Sequence, residues 1–268
     1  SREAGADVWA ANLLQLQSMK LEWDLPGLAP LWSLSTEGMF YVALPVAGLV
    51  AARVAAGRGR RGHVAVLAGL VALSWCFRLL DGLGALPEGF SWMRTLPAVG
   101  DWFVVGMLLA LVAADDALRG RVAAVVQAAP WHFYGLAACV FGVLPTRAAG
   151  PYDLAPATAA QAAVKHIGYA VVAGLLIAPS VLGARTGVSR ELSSVPLTYL
   201  GRISYGLFLW HLPIMFAVRS ALDLGLFAYG FWATVGLTLG ASLIVSALSW
   251  HLLESPIQAI ARRRTSTP

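Results

Sequence analysis

The run Phe40–Ala56, FYVALPVAGLVAARVAA, leaves a soluble fold few options. With its lead-in it is long enough to cross a bilayer, which takes roughly 20 predominantly apolar residues. Further runs of the same kind follow. The spans read as Ser35–Ala56, Val64–Leu80, Ala98–Ala114, Val122–Leu144, Val164–Leu182, Ile203–Leu222 and Tyr229–Leu253. In hydrocarbon, only helices and closed barrels satisfy their own backbone polar groups, and runs of this length read as helices. The expected fold class is all-α: a polytopic transmembrane helix bundle of about seven spans, in one domain over residues 1–268. The second and third runs are short for a full crossing and are expected to tilt or to extend past these limits.

Charge organises the runs. Charged residues make up 12% of the chain, about half of the roughly 25% usual in soluble domains. The net charge of +5 is no nucleic-acid signal, because the basic residues sit in short clusters between apolar runs. Alternate loops carry Arg53, Arg58, Arg60 and Arg61; Arg119 and Arg121; Arg185, Arg190 and Arg202; and Arg262, Arg263 and Arg264. These hold 12 of the 19 basic residues, against five (Arg2, Lys20, Arg94, Arg147 and Lys165) in the opposite set. The positive-inside rule then places the amino terminus outside and the carboxyl terminus in the cytoplasm, across a plasma membrane. Ser1 to Asp7 are polar and form no signal peptide, so the chain is expected to be the later part of a longer protein. Cys76 and Cys139 fall inside apolar runs and are expected to be buried thiols. The loop Pro145–Ala163, with Tyr152 and Asp153, reads as a connector. No metal-ligand cluster, phosphate-cradling glycine loop or nucleophilic serine motif is present, so no tightly bound cofactor or metal is expected.

Three polar segments break the apolar pattern. The first is Trp32, Ser33, Ser35 and Glu37, at the outer end of the first span. It reads either as a capped helix with an interfacial Trp or as a functional site, since a carboxylate at the edge of hydrocarbon must be paired or face a polar cavity. The second is the segment Gly201–Pro213, where Ser204, Phe208 and His211 share one helix face by their spacing. Pro213 withholds an amide from the carbonyl of Leu209, so a kink is expected beside His211. The third is His251-Leu252-Leu253-Glu254-Ser255-Pro256. Glu254 either pairs with a basic residue at its depth, Arg202 being one, or sits in headgroup water. Arg94, before the third span, is a further outer-face candidate.

These segments together resemble the acyltransferase-3 family of integral membrane acyltransferases. Trp32-Ser33-Leu34-Ser35-Thr36-Glu37 with Phe40-Tyr41 and Pro45 looks like that family's W-S-L-S-x-E-x-x-F-Y-x-x-x-P. Gly201-Arg202-Ile203-Ser204-Tyr205 with Leu209-Trp210-His211 and Pro213 looks like its G-x-I-S-Y-x-x-Y-L-W-H-x-P, and Leu253-Glu254-Ser255-Pro256 its closing I-E-x-P. Order and spacing match as well. Gly38 stands where the family often has a second acidic residue, and Phe208 replaces a frequent Tyr.

The resemblance implies transfer of an acyl group, often acetyl, from acyl-CoA to a hydroxyl of a carbohydrate, lipid or small-molecule acceptor. The family has about ten spans of roughly 20 residues, so this chain corresponds to the last seven. The family's catalytic histidine and an arginine lie on a first helix that has no counterpart here. Residues 1–268 alone are thus expected to be inactive. Glu37 and His211 are expected in supporting roles. Trp32, Ser35, Arg94, Arg202, Ser204, Tyr205 and Glu254 are the candidate substrate-binding residues. The rival reading is a transporter or channel, with Pro45, Pro130, Pro179 and Pro213 breaking helices around a midplane site; against it, no inverted repeat is visible and intramembrane charge is sparse. A non-catalytic membrane scaffold is a third.

Overall fold

The computed structural model describes residues 5–25, 27–152, 155–182, 187–223 and 230–265. Arg2, Asp153, Arg185 and Tyr229, all used above, lie outside the described residues. Among the described residues every regular element is a helix. They are α1 (Ala6–Leu13), α2 (Trp32–Ala55), α3 (Arg60–Gly82), α4 (Leu96–Ala114), α5 (Asp116–Ala128), α6 (Pro130–Val143), α7 (Ala159–Val181), α8 (Gly187–Leu192), α9 (Val195–Ala221), α10 (Phe231–Ser249) and α11 (Ser255–Thr265). A π-helical segment, Trp250–Glu254, joins the last two.

Five stretches are long and apolar enough to cross a membrane: Ala29–Ala55, Arg60–Gly82, Trp92–Ala114, Ala159–Val181 and Phe231–Arg263. The runs over α3 and α4 extend beyond their expected limits and reach full crossing length. Val122–Leu144 is not one straight span. It is α5 and α6, bent by 79°. The cause is local: Pro130 has no N–H to donate and disfavours helical backbone at the residue before it, and Ala129 accordingly takes φ −146° and ψ 53°. Counted as one span, this pair makes six. α9, the remaining expected span, has 27 residues but is less apolar, because Arg202, Ser204, His211 and Arg219 interrupt it. It continues through Pro213 as one helix.

The chain divides into two compact units, Ser1–Ser35 with Leu192–Pro268, and Thr36–Glu191. In the first, α9 and α10 pack at a glycine. A Cβ on Gly206 would lie 3.2 Å from the Cα of Ser246, so the two backbones meet where there is no side chain. Ile203, 2% exposed, fills the turn beside it. The segment between α1 and α2 also packs on α9. Gly27, at φ +82°, brings its backbone against Pro213, where a Cβ would stand 3.5 Å from the proline Cα. The Asn12 amide holds that segment by donating to the carbonyls of Val8 (2.8 Å) and Trp23 (2.9 Å).

In the second unit, Val126, Ala178 and Leu182 form a core with Leu109, Val112, Val122 and Phe133 around it. α3 and α4 join through Ser74, whose Oγ accepts from the Asp101 amide at 3.1 Å. Asp115 ties three elements. Its Oδ1 caps α5 by accepting from the Leu118 amide (3.0 Å), and its Oδ2 pairs with Arg60 at the start of α3 (3.1 Å). The Leu118 amide first, and Arg60 after it, hold this carboxyl below its usual range.

Large apolar side chains remain exposed along the spans, Val42 at 80% and Ile244 at 64% among them. This is the pattern of helices solvated by hydrocarbon. Cys76 and Cys139 are free and exposed on these surfaces, which corrects the expectation that they are buried.

Both units yield a testable outcome. Gly206→Leu should lower the unfolding midpoint in detergent strongly by forcing α9 off α10. Gly201→Leu, with open space around its site, should leave it nearly unchanged; equal effects would remove the close approach as the cause. For Asp115, a depressed folded-state pKa gives stability that is present above the unfolded pKa and lost as pH falls through the folded one. Amide exchange at Leu118, corrected for its intrinsic rate, should therefore rise as pH drops below about 4. In Asp115→Asn, which keeps a capping oxygen but no titration, that acid-dependent step should vanish.

Candidate functional site

Helical spacing builds a groove between α9 and α10. Ser204, Phe208 and His211 lie on one face of α9, as their i, i+4, i+7 positions require. Thr234, Thr238 and Ser242 recur every fourth residue on the facing side of α10. Together they line a cavity of about 490 Å³, open along one side. His211 Nδ1 lies 2.7 Å from the Phe208 carbonyl and 3.2 Å from that of Leu207. Nδ1 is therefore the donating nitrogen, and Nε2 carries the lone pair. The row of hydroxyls continues to Ser246, which donates to the Ser242 carbonyl at 2.6 Å. Thr238 Oγ1 and Ser242 Oγ are buried and have no hydrogen-bond partner among the described residues.

The neighbouring candidates of this unit sit elsewhere. Ser204 Oγ donates to the Gly201 carbonyl at 2.8 Å. Tyr205 is 46% exposed and off the groove face. Arg202 is exposed and does not pair with Glu254, which leaves aside the first of the two readings offered for that carboxylate. Glu254 Oε1 instead accepts from Ser249 Oγ at 3.1 Å, five residues back. The π-helical backbone explains the choice, since its repeat brings i and i+5 together. Glu254 Oε1 also lies beside Gly206, 3.5 Å from where a Cβ would stand. His251, one turn earlier, meets Tyr199, with Nε2 3.3 Å from the phenol oxygen. Trp32 and Ser35 belong to the first turn of α2, which continues from the 3₁₀ turn Ala29–Leu31. Neither serine there caps a helix: Ser33 Oγ donates to the Pro30 carbonyl (3.0 Å), and Ser35 Oγ is buried without a partner among the described residues.

In the Thr36–Glu191 unit, Thr36 Oγ1 donates to the Arg94 carbonyl at 2.7 Å. Arg94 thus contributes its backbone to this contact. Glu37 is exposed, and Tyr41 O–H donates to its Oε1 at 2.9 Å. The sequence places Glu37 at the site and facing the protein; the structure turns it outward. Ser35 and Thr36 occupy the buried face, and about 100° of rotation per residue carries the next side chain off it.

One buried cluster went unread in the sequence. His166 Nε2 lies 2.7 and 2.9 Å from the two oxygens of Asp101, and Arg78 Nη2 reaches His166 Nδ1 at 2.6 Å. Trp102 stacks on the imidazole at 4.7 Å between centroids, and its indole N–H donates to the His166 carbonyl at 3.1 Å. Arginine only donates, so His166 accepts at Nδ1 and donates from Nε2 to Asp101. Both ring nitrogens are committed, so this histidine holds three helices together and has no free lone pair for substrate. The sequence signal was an ionisable residue inside each of three apolar runs, Arg78, Asp101 and His166, and such residues in a membrane normally find one another. Among the described residues no three His, Cys, Asp or Glu side chains converge as a metal site.

The cluster carries a stability outcome. Asp101 and His166 side chains are 10% and 4% exposed, and removing one partner of a buried pair costs about 3–5 kcal/mol. Asp101→Asn should destabilise the folded protein by roughly that amount, and the exposed Glu37→Gln by less than about 1 kcal/mol. Denaturant unfolding in mild detergent measures both; similar losses would mean that the cluster is not what holds α3, α4 and α7.

Comparison with known proteins bears on these sites together. A peptidoglycan O-acetyltransferase of Listeria monocytogenes is 27% identical over 90 residues, which are 34% of this chain and 14% of that protein. A putative peptidoglycan O-acetyltransferase of Bacillus subtilis is 35% identical over 88 residues, 33% of this chain and 13% of that protein. The chain thus matches only about a seventh of the length of these relatives. No solved structure matches it. The acyltransferase-domain profile of the acyltransferase-3 family matches residues 3–251, which take in α9 and α10 and end at His251, short of Glu254. The chain belongs to the acyltransferase-3 family of membrane acyltransferases.

Proposed function

We propose that this chain is the membrane part of a bacterial O-acyltransferase that moves an acyl group, acetyl in the first instance, from acyl-CoA to a hydroxyl of a cell-wall carbohydrate. Family membership supports the reaction class, and the two relatives support the acceptor. The structural observation that carries the reading is the groove between α9 and α10. It offers an imidazole whose Nε2 has no partner among the described residues and a file of hydroxyls, on helices of a membrane protein, where polar groups are costly unless used.

In this reaction the acceptor hydroxyl loses its proton to a base as its oxygen attacks the thioester carbonyl carbon. The carbonyl oxygen becomes an oxyanion, which needs hydrogen-bond donors. Collapse breaks the C–S bond, and the thiolate leaves as coenzyme A and takes up a proton. His211 serves this step by positioning: Nε2 accepts from a hydroxyl of the acceptor beside the one that attacks, whose own proton goes to the base. His211 is not the base. A base that charges during the reaction is normally steadied by a carboxylate on its far nitrogen, and Nδ1 here is bound to carbonyls of its own helix. The loop charges support an orientation with the Arg262–Arg263 end in the cytoplasm, the side of the acyl-CoA pool.

Two measurements test this. Cells lacking the natural gene product should lose base-labile O-acetyl groups from their cell-wall glycan, and restoring the gene should return them. Unchanged acetyl content would sink the assignment of the acceptor. In the natural gene product, His211→Ala should reduce acetyl transfer from labelled acetyl-CoA by about 10²-fold or less and leave measurable turnover. Complete loss in a folded protein that still binds the donor would make His211 the base.

A further inference from the structure

The hydroxyls of α10 differ in a way that spacing alone does not require. A serine or threonine in a membrane helix ordinarily donates to the carbonyl one turn back, which satisfies its hydrogen where no water is present. Ser246 does this. Thr238 and Ser242, on the same face of the same helix, do not, and nothing else among the described residues satisfies them. Ser242 is fully buried, at 0% exposure. A buried donor left unmet costs about 1–3 kcal/mol. Both residues line the groove, whose remaining walls include Leu207, Met215, Val235 and Leu239. Two unspent O–H donors set in an apolar wall describe a complement: a ligand with a hydrogen-bond acceptor that cannot itself donate, flanked by apolar surface. An acyl carbonyl has that chemistry. A sugar hydroxyl, which donates as well as accepts, does not need two donors in an apolar wall.

We infer that the α9–α10 groove binds the acyl group that is transferred, with Thr238 and Ser242 donating to its carbonyl oxygen. The inference rests on the proposed acyl transfer and adds the site of the donor's acyl end. The cavity, at about 490 Å³, is far larger than an acetyl group, so the groove also admits longer chains. A carbonyl of this kind comes either from a soluble acyl thioester or from an ester of a membrane lipid.

The test uses the natural gene product in nanodiscs of ether-linked phospholipid, which supply no ester carbonyl. Two probes are compared by equilibrium binding: S-acetonyl-CoA, which keeps a carbonyl and cannot transfer, and S-propyl-CoA, which has a methylene in its place. The wild type should bind the ketone more tightly, and Thr238→Val with Ser242→Ala should weaken the ketone about tenfold or more while leaving the propyl probe unchanged. Because the propyl probe reports folding and the rest of the CoA site, misfolding would show as loss of both. In that case the single variants Thr238→Val and Ser242→Ala replace the double variant, and each should weaken the ketone while sparing the propyl probe. If neither CoA probe binds, the unfolding midpoint in ester-lipid nanodiscs should exceed that in ether-lipid nanodiscs, and the double variant should abolish the difference. That result would keep the carbonyl site and reject acyl-CoA as the donor. Absence of both preferences in the wild type, or their survival in the folded double variant, overturns the inference.

Discussion

In hydrocarbon a polar side chain has no water to fall back on, and its position is decided by where the protein can meet it. That constraint orders this structure more than apolar packing does. Hydrocarbon rewards the exposure of Val42 as readily as its burial, so the hydrophobic effect does little to bring the helices together. The contacts that do so are polar or glycine-mediated. Asp101, His166 and Arg78 join α3, α4 and α7; Ser74 accepts the Asp101 amide; Gly206 lets α9 and α10 touch through backbone.

The same constraint separates residues that hold the fold from residues free to act. His166 and His211 are both imidazoles on long helices of a membrane protein. His166 has a charged partner on each nitrogen and is spent. His211 has its own helix on one nitrogen and a groove beside it. Likewise Ser246 closes its hydrogen bond locally, and Ser242, four residues away, does not. Function in this chain is read from such unfinished valences, since the bulk of the helix surface differs little from one turn to the next.

Much of the fold was legible in the sequence, because runs of apolar residues at bilayer length admit few structures. Which residues share a helix face was also legible, as for Ser204, Phe208 and His211. What that face turns toward was not. Glu37 lies at the expected end of its helix and points the other way, since one step along a helix turns the side chain by about 100°. The bend between α5 and α6 stood written in Pro130, yet apolar residues on both sides read as one run. The hydroxyl row of α10 was hidden for a different reason: its leucines and valines dominate any average over the segment. The Asp101–His166–Arg78 cluster joins residues 65 and 88 positions apart. No local pattern encodes such a meeting; it exists only once three helices have packed.

The π-helical segment Trp250–Glu254 can be seen as a matter of chain length as well as of shape. Such a segment is an α-helix that has taken in one residue more than its pitch allows. The 5 residues of this segment fill about the turn that four fill in an α-helix, so α11 keeps the phase it would have without the extra residue, while Glu254 returns to Ser249. Loss of any one of the residues between Ser249 and Glu254 restores the ordinary pitch, leaves α11 facing nearly as before, and puts Ser249 and Glu254 one α-helical turn apart, still neighbours. For this end of the molecule, a lineage can gain or lose one residue without changing which way α11 faces.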